Sequence, residues 1–156
     1  MSKFYGYNNI VIRHPKMPDT ITIAIQEVYG LMLRIRSDEW QVLTSKGFEP
    51  LRKITEVVLD NQNSVSCKLK HGALLYHPDT NKVYDYKTES PVELSNLKKS
   101  TQLCRYVVPI DQTGDVNWQR EGIERIVTMT LPKAQPFYVI HGPETVYVDN
   151  VLFATK

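Results

Sequence analysis

Cysteine is nearly absent from this 156-residue chain: Cys67 and Cys104 are its two thiols, too few for the disulfide framework of a small secreted domain. Asn-x-Ser/Thr acceptors are lacking, and the opening Met1-Ser2-Lys3-Phe4 has none of the apolar character of a signal peptide. No apolar run approaches the roughly 20 residues that a membrane helix requires. Secretion and membrane contact are therefore not expected, and a reducing cytoplasm is the expected setting. An excess of one charge is missing too: 19 Lys and Arg stand against 17 Asp and Glu, a net charge of +2. The whole-molecule field is then too weak to argue for nucleic acid or an acidic membrane surface, and only a local basic patch could supply such binding. Neither a P-loop, a G-x-G-x-x-G nor a G-x-S-x-G occurs, which leaves nucleotide-binding and hydrolase readings without a motif.

What is present describes one globular domain: 42% hydrophobic and 23% charged residues lie in the ordinary range for a chain able to bury a single core. Val, Ile, Thr and Tyr are plentiful and Ala is scarce, so half-buried pleated surfaces are favoured over helices. Short apolar runs between turn residues predict strands at 10–12, 20–25, 31–35, 40–44, 54–59, 65–69, 73–76, 82–86, 103–108, 126–131, 136–140 and 145–153. The fold class expected is mostly β, a compact fold of many short strands. In the run Thr20-Ile21-Thr22-Ile23-Ala24-Ile25 the isoleucines are expected to share one buried face. Val28, Leu31, Met32 and Ile35 also fit helical spacing, but a turn at Gly30 followed by a strand is the preferred reading. One short helix is expected near 91–98, where Ser90-Pro91-Val92-Glu93 has the order of a capping box ahead of Leu94 and Leu97. Turns are expected at 60–63, 77–81 and 111–115, which are rich in Asn, Asp, Thr and Gly.

Four segments in order carry a family resemblance. Val42-Leu43-Thr44-Ser45-Lys46-Gly47-Phe48-Glu49-Pro50-Leu51-Arg52-Lys53-Ile54 reads as strand, turn and strand, with Gly47 supplying the turn and Val42, Phe48, Leu51 and Ile54 the core faces. Val65-Ser66-Cys67-Lys68-Leu69-Lys70-His71, the stretch 91–109, and 126–153 with its Phe137-Tyr138-Val139 and Asn150-Val151-Leu152 follow. Together they resemble the Hint domain, the hedgehog and intein autoprocessing β-fold. The resemblance covers residues 34–156, which leaves 1–33 as an N-terminal extension expected to pack on the domain.

The resemblance implies a self-cleaving chemistry and the residues it needs. A Cys or Ser nucleophile is required upstream of Thr44, and Ser37 is the hydroxyl on offer. A Thr and a His must polarise the scissile peptide, since an oxyanion donor and a proton donor to the leaving nitrogen both lower the barrier. His71 matches that His, but Lys68 stands at the Thr. The family closes on His-Asn, where this chain has Phe153-Ala154-Thr155-Lys156. With these groups missing, the chain is expected not to act as an enzyme, and Ser37 and His71 are catalytic candidates only if autoprocessing survives. The bland reading of His71 is a hydrogen-bonded turn residue.

Other constellations are weaker. Cys67, His71, His77 and Cys104 are potential zinc ligands, but their spacing matches no zinc finger, so no metal and no cofactor is expected. His14 and His141 sit beside turn-forming residues and are expected to be solvated, and no spacing among the carboxylates forces two onto one face. Arg34 with Arg36, and Lys68 with Lys70, would each form a basic stripe on a strand and are the candidate nucleic-acid-binding residues; solvated edge charges are the plain alternative. The leading expectation is a non-catalytic protein-interaction or structural module docking on a protein partner or larger assembly. By analogy with the family's mobile genomes it would be a phage virion component or host-directed inhibitor, in host cytoplasm or virion. Residual autoprocessing and nucleic-acid binding are the alternatives.

Overall fold

The computed structural model describes residues 1–58, 62–76, 81–106 and 118–156. Fifteen strands lie among them: β1 (Phe4–Tyr5), β2 (Asn9–Arg13), β3 (Ile21–Ala24), β4 (Gln41–Thr44), β5 (Gly47–Pro50), β6 (Lys53–Val58), β7 (Asn63–Leu69), β8 (Gly72–Tyr76), β9 (Lys82–Tyr84), β10 (Pro91–Glu93), β11 (Gln102–Tyr106), β12 (Trp118–Thr130), β13 (Pro136–His141), β14 (Thr145–Val148) and β15 (Val151–Ala154). One α-helix, α1 (Ile25–Arg34), and one 3-10 turn, Leu94–Asn96, complete the described elements. The mostly-β class expected from composition is what forms. The expected turns at 60–63, 77–81 and 111–115 fall largely outside the described residues, as do the last positions of the runs 54–59 and 103–108.

Every pairing among the described strands is antiparallel. The strands form three sheets, in the orders β1-β13-β6, β3-β2-β4-β5 and β10-β9-β15-β11-β12-β7-β8, with β14 paired to β15. The long β12 joins two parts of the largest sheet: its first residues pair with β11, and beyond an irregularity at Ile123/Arg125 its remainder pairs with β7.

Strand alternation divides the core into two compartments. Ile10 and Ile12 of β2, Val42 of β4, Val146 and Val148 of β14, and Val151 and Phe153 of β15 enter one cluster. The residues between them, Val11, Leu43, Tyr147 and Leu152, enter the other together with Cys104. Successive side chains of a strand point to opposite faces, so these strands are buried on both sides and read as unbroken apolar runs. The hairpin β4–β5 closes as its sequence predicts. Gly47 takes φ 94°, and Thr44 Oγ1 donates to Gly47 O at 2.8 Å while accepting from Lys46 N at 3.1 Å. Val42, Leu51 and Ile54 are buried as expected, and Phe48 is half-buried beneath the Arg13 guanidinium.

Three expectations give way. The preferred turn and strand at 30–35 is instead α1, whose Val28 is fully buried and whose Leu31 and Met32 pack against the main core. The helix starts without a capping side chain; its first N–H groups are taken by distant carbonyls, Ile25 N by Asn8 O at 2.8 Å and Gln26 N by Gly6 O at 3.0 Å. That start also removes Ile25 from the isoleucine face of β3, where Ile21 is exposed and Ile23 half-buried. The short helix expected at 91–98 is a strand followed by a single 3-10 turn. Pro91, Val92 and Glu93 pair with Tyr84, Val83 and Lys82, so the backbone that a helix would use is already committed to a ladder. Ser90 serves the preceding turn, its carbonyl accepting from Asp85 N at 3.0 Å. Finally, the run 145–153 breaks into β14 and β15 around Asp149 and Asn150, both with positive φ (49° and 66°), as a two-residue hairpin loop requires.

Candidate functional site

The two ends of the chain meet in a buried polar cluster. β1 is an edge strand on β13, and the ring of Phe4 stands edge-on to Phe153 of β15 at 5.3 Å. This pairing carries Ser2, fully buried, against the residues that follow β15: Ser2 N donates to Thr155 O at 2.9 Å and Ser2 Oγ to Ala154 O at 2.6 Å. Thr155 is buried as well, its Oγ1 donating to Pro143 O at 2.6 Å. Lys3 N donates to Oδ1 of the buried Asn81 at 2.8 Å. Each hydroxyl proton in the cluster is thus committed to a backbone carbonyl. Beside it lies a cleft of about 470 Å³ lined by Met1, Arg52, Lys53, His141, Thr155 and Lys156, among others. His141 is half-buried rather than solvated. Its Nε2 is bonded to Thr55 Oγ1 at 2.9 Å, and desolvation, followed by the nearby Lys53 ammonium, lowers its pKa from 6.5.

Ser2, Asn81 and Thr155 were not singled out from the sequence. Asn81 was read only as the end of the turn 77–81, and nothing in the sequence around Ser2 and Thr155 indicates that the two terminal segments meet.

Ser37 and His71 are placed apart in hydrogen-bonding terms, each with its own partners. Ser37 Oγ lies 2.9 Å from His14 Nε2 and accepts from Glu39 N at 3.1 Å. Lys16 N donates to His14 Nδ1 at 3.2 Å, so the neutral ring must carry its proton on Nε2 and donate to Ser37. An imidazole in that tautomer cannot take the serine proton. His14 is 5% exposed and tilted against Trp40 at 4.6 Å, a buried packing residue where solvation was expected.

His71 occupies the two-residue connection between β7 and β8. Its N–H donates to Glu121 Oε1 at 2.7 Å and its Nδ1 to Glu121 Oε2 at 2.9 Å. Glu121 is fully buried on β12, with Arg105 Nε at 3.7 Å from the same oxygen. A carboxylate on Nδ1 orients an imidazole as a base, but the described hydrogen bonds bring neither a hydroxyl nor a thiol to its other nitrogen.

The remaining candidates are dispersed. Arg34 ends α1 with its Nε toward Gly30 O at 3.4 Å, and Arg36 lies beyond the helix, so the strand alternation expected to align them does not exist. Lys68 is on β7, 3.8 Å from Glu124, and Lys70 lies along Gly122. Cys67 and Cys104 are free and buried, and burial pushes both thiols up, Cys104 to about 11; such thiols are poor nucleophiles and ligands at neutral pH. Among the described residues no three His, Cys, Asp or Glu side chains gather as a metal group, and His77 lies outside those residues. No helix among the described residues is long and apolar enough to cross a membrane.

Neither a protein-family model nor a curated protein sequence matches the chain. The fold has close counterparts among solved structures. An intein from a hyperthermophile superposes with a TM-score of 0.77 at 10% identity, covering 99% of this chain and 99% of that one. The transcription factor IIB Mvu mini-intein gives 0.75 at 9% identity with the same coverage of both chains. A bacterial intein-like domain from Clostridium thermocellum gives 0.60 at 13% identity, over 100% and 99%.

Proposed function

We propose that this chain, which has the Hint fold of inteins, is a non-catalytic module of that fold that acts by docking on a protein partner or larger assembly. The observation that carries the reading is the chemistry where the two ends meet. Excising a segment and joining its flanks needs a nucleophile and a cyclising side chain brought together with groups that move protons. The cluster holds Ser2, Asn81 and Thr155, none of which titrates near neutral pH, and both hydroxyls donate to carbonyls. Phe153-Ala154-Thr155-Lys156 follow the Asn150-Val151-Leu152 motif, with neither His nor Asn among them, where the resemblance calls for His-Asn. A well-formed scaffold without its reactive groups is a rigid surface, and a phage virion component or host-directed inhibitor is the setting that such a relic fits.

Residual autoprocessing is the second reading, favoured by the position of Ser2 Oγ, 2.6 Å from the Ala154 carbonyl at the junction of the ends. In this reading Ser2 joins Ser37 as a nucleophile candidate, with His71 as the activator first inferred. Intact-mass measurement separates the two. A full-length mass unchanged after long incubation with thiol or hydroxylamine is expected, whereas discrete fragments or a hydroxamate would establish cleavage. Docking itself is tested by size-exclusion and cross-linking in cell lysate; a chain that stays monomeric and uncross-linked there would sink it.

A further inference from the structure

The C-terminal half of α1 and the start of β6 enclose a cleft of about 230 Å³, smaller than the ~300–1,000 Å³ of a typical small-molecule site and suited to receiving protruding side chains. Its apolar surface comes from Met32, Leu33 and Ile54, and its basic rim from Arg36, Arg52 and Lys53; neither Asp nor Glu lines it. Leu33 is 60% exposed and the adjoining Ile35 47%, an uncovered apolar edge on a helix whose opposite face is packed into the core. Arg52 and Lys53 also line the larger cleft at the chain ends, where Lys156 extends the basic lining, again with no acidic side chain. The nearest carboxylate along β6, Glu56, accepts from Tyr138 Oη at 2.8 Å. One face thus joins an apolar slot to an unneutralised basic ridge, although the whole chain carries a net charge of only +2.

From this juxtaposition we infer that the α1–β6 face is a docking site for an acidic segment of a partner protein carrying apolar anchor residues. The anchors enter between Met32, Leu33 and Ile54, and the flanking carboxylates pair with Arg36, Arg52 and Lys53. Apolar anchors in a desolvated slot supply affinity, while surrounding charges supply orientation and association rate. The inference rests on the docking reading above and specifies its partner.

The probe is a short fluorescein-labelled peptide with leucines at i, i+3 and i+4 interleaved with glutamates, followed by fluorescence anisotropy. Saturable binding is expected, weakened about tenfold by Leu33→Asp and by Arg52→Glu, each checked for a native circular dichroism spectrum. Val127→Asp, on an exposed position of β12 outside both clefts, should leave binding unchanged. The same peptide with lysine for glutamate, or serine for leucine, should not bind. Absence of saturable binding, equal binding of the lysine peptide, equal loss in Val127→Asp, or binding of a single-stranded oligonucleotide in place of the peptide would each overturn the site. A lysate partner that cross-links undiminished to Leu33→Asp and Arg52→Glu overturns this site but not docking; a wild-type chain that cross-links to nothing overturns both.

Discussion

Glu121 is a fully buried carboxylate whose two oxygens take the His71 N–H, the His71 imidazole and the Arg105 guanidinium. Removing one member of a buried charged set leaves the rest without compensation, typically at several kcal/mol. Glu121→Ala should therefore cost about 3–5 kcal/mol in urea unfolding. His71→Ala, whose side chain is 58% exposed and which keeps the backbone donor, should cost no more than about 1 kcal/mol. Equal losses would show that the imidazole, not the buried carboxylate, holds this junction. His141 gives a pH signature. Its lowered pKa means that folding favours the neutral ring, so between the folded value and 6.5 the unfolded chain binds more protons. Stability should be full above that window, fall as pH drops through it, and level off once the folded imidazole also protonates. His141→Gln should flatten the urea midpoint over that range, and an unchanged slope would refute the assignment. At this scale the sequence was informative where a residue acts locally, as at Gly47, whose turn forms with φ 94°. It was silent on Glu121, which lies outside the predicted run 126–131 and whose burial follows only from β12 crossing between β7 and β11.

The helix α1 shows how an element can have the right periodicity and still be misread. Val28, Leu31 and Met32 are spaced for one face, but Gly30 lies among them and no side chain caps the start. The cap is tertiary, supplied by the carbonyls of Asn8 and Gly6. The reverse occurs at 90–93, where a well-ordered capping signature is overruled by pairing of β10 with β9. Pro91 is tolerated there because β10 is an edge strand. Gly30 yields a direct prediction: a methyl group on it would meet nothing within 4 Å, so Gly30→Ala should raise stability by about 0.5–1 kcal/mol through helix propensity alone. Thermal unfolding checks this, and a lowered midpoint would mean that the helix is not regular at that residue.

At the scale of the whole molecule, the fold depends on bonds between the chain's extremes: Ser2 to Ala154 and Thr155, Phe4 to Phe153, and β1 to β13. Phe4 is 2% exposed, so Phe4→Ala should cost about 3–5 kcal/mol by denaturant titration. A loss under about 1 kcal/mol would mark residues 1–33 as the appendage suggested by the reach of the family resemblance. Composition and alternation by themselves determined the β class, most strand positions and the near-neutral charge, because a strand's period and a turn's φ requirements act over a few neighbouring residues. They also held enough of a family pattern to anticipate the Hint fold. Only the tertiary structure decided where α1 begins, that 91–93 is a strand, which carboxylate is buried, and which hydroxyl lies at the junction of the ends. The helix start, the buried carboxylate and the junction hydroxyl depend on partners far away in the chain, and the strand at 91–93 on its pairing with β9; local periodicity carries no record of such pairings.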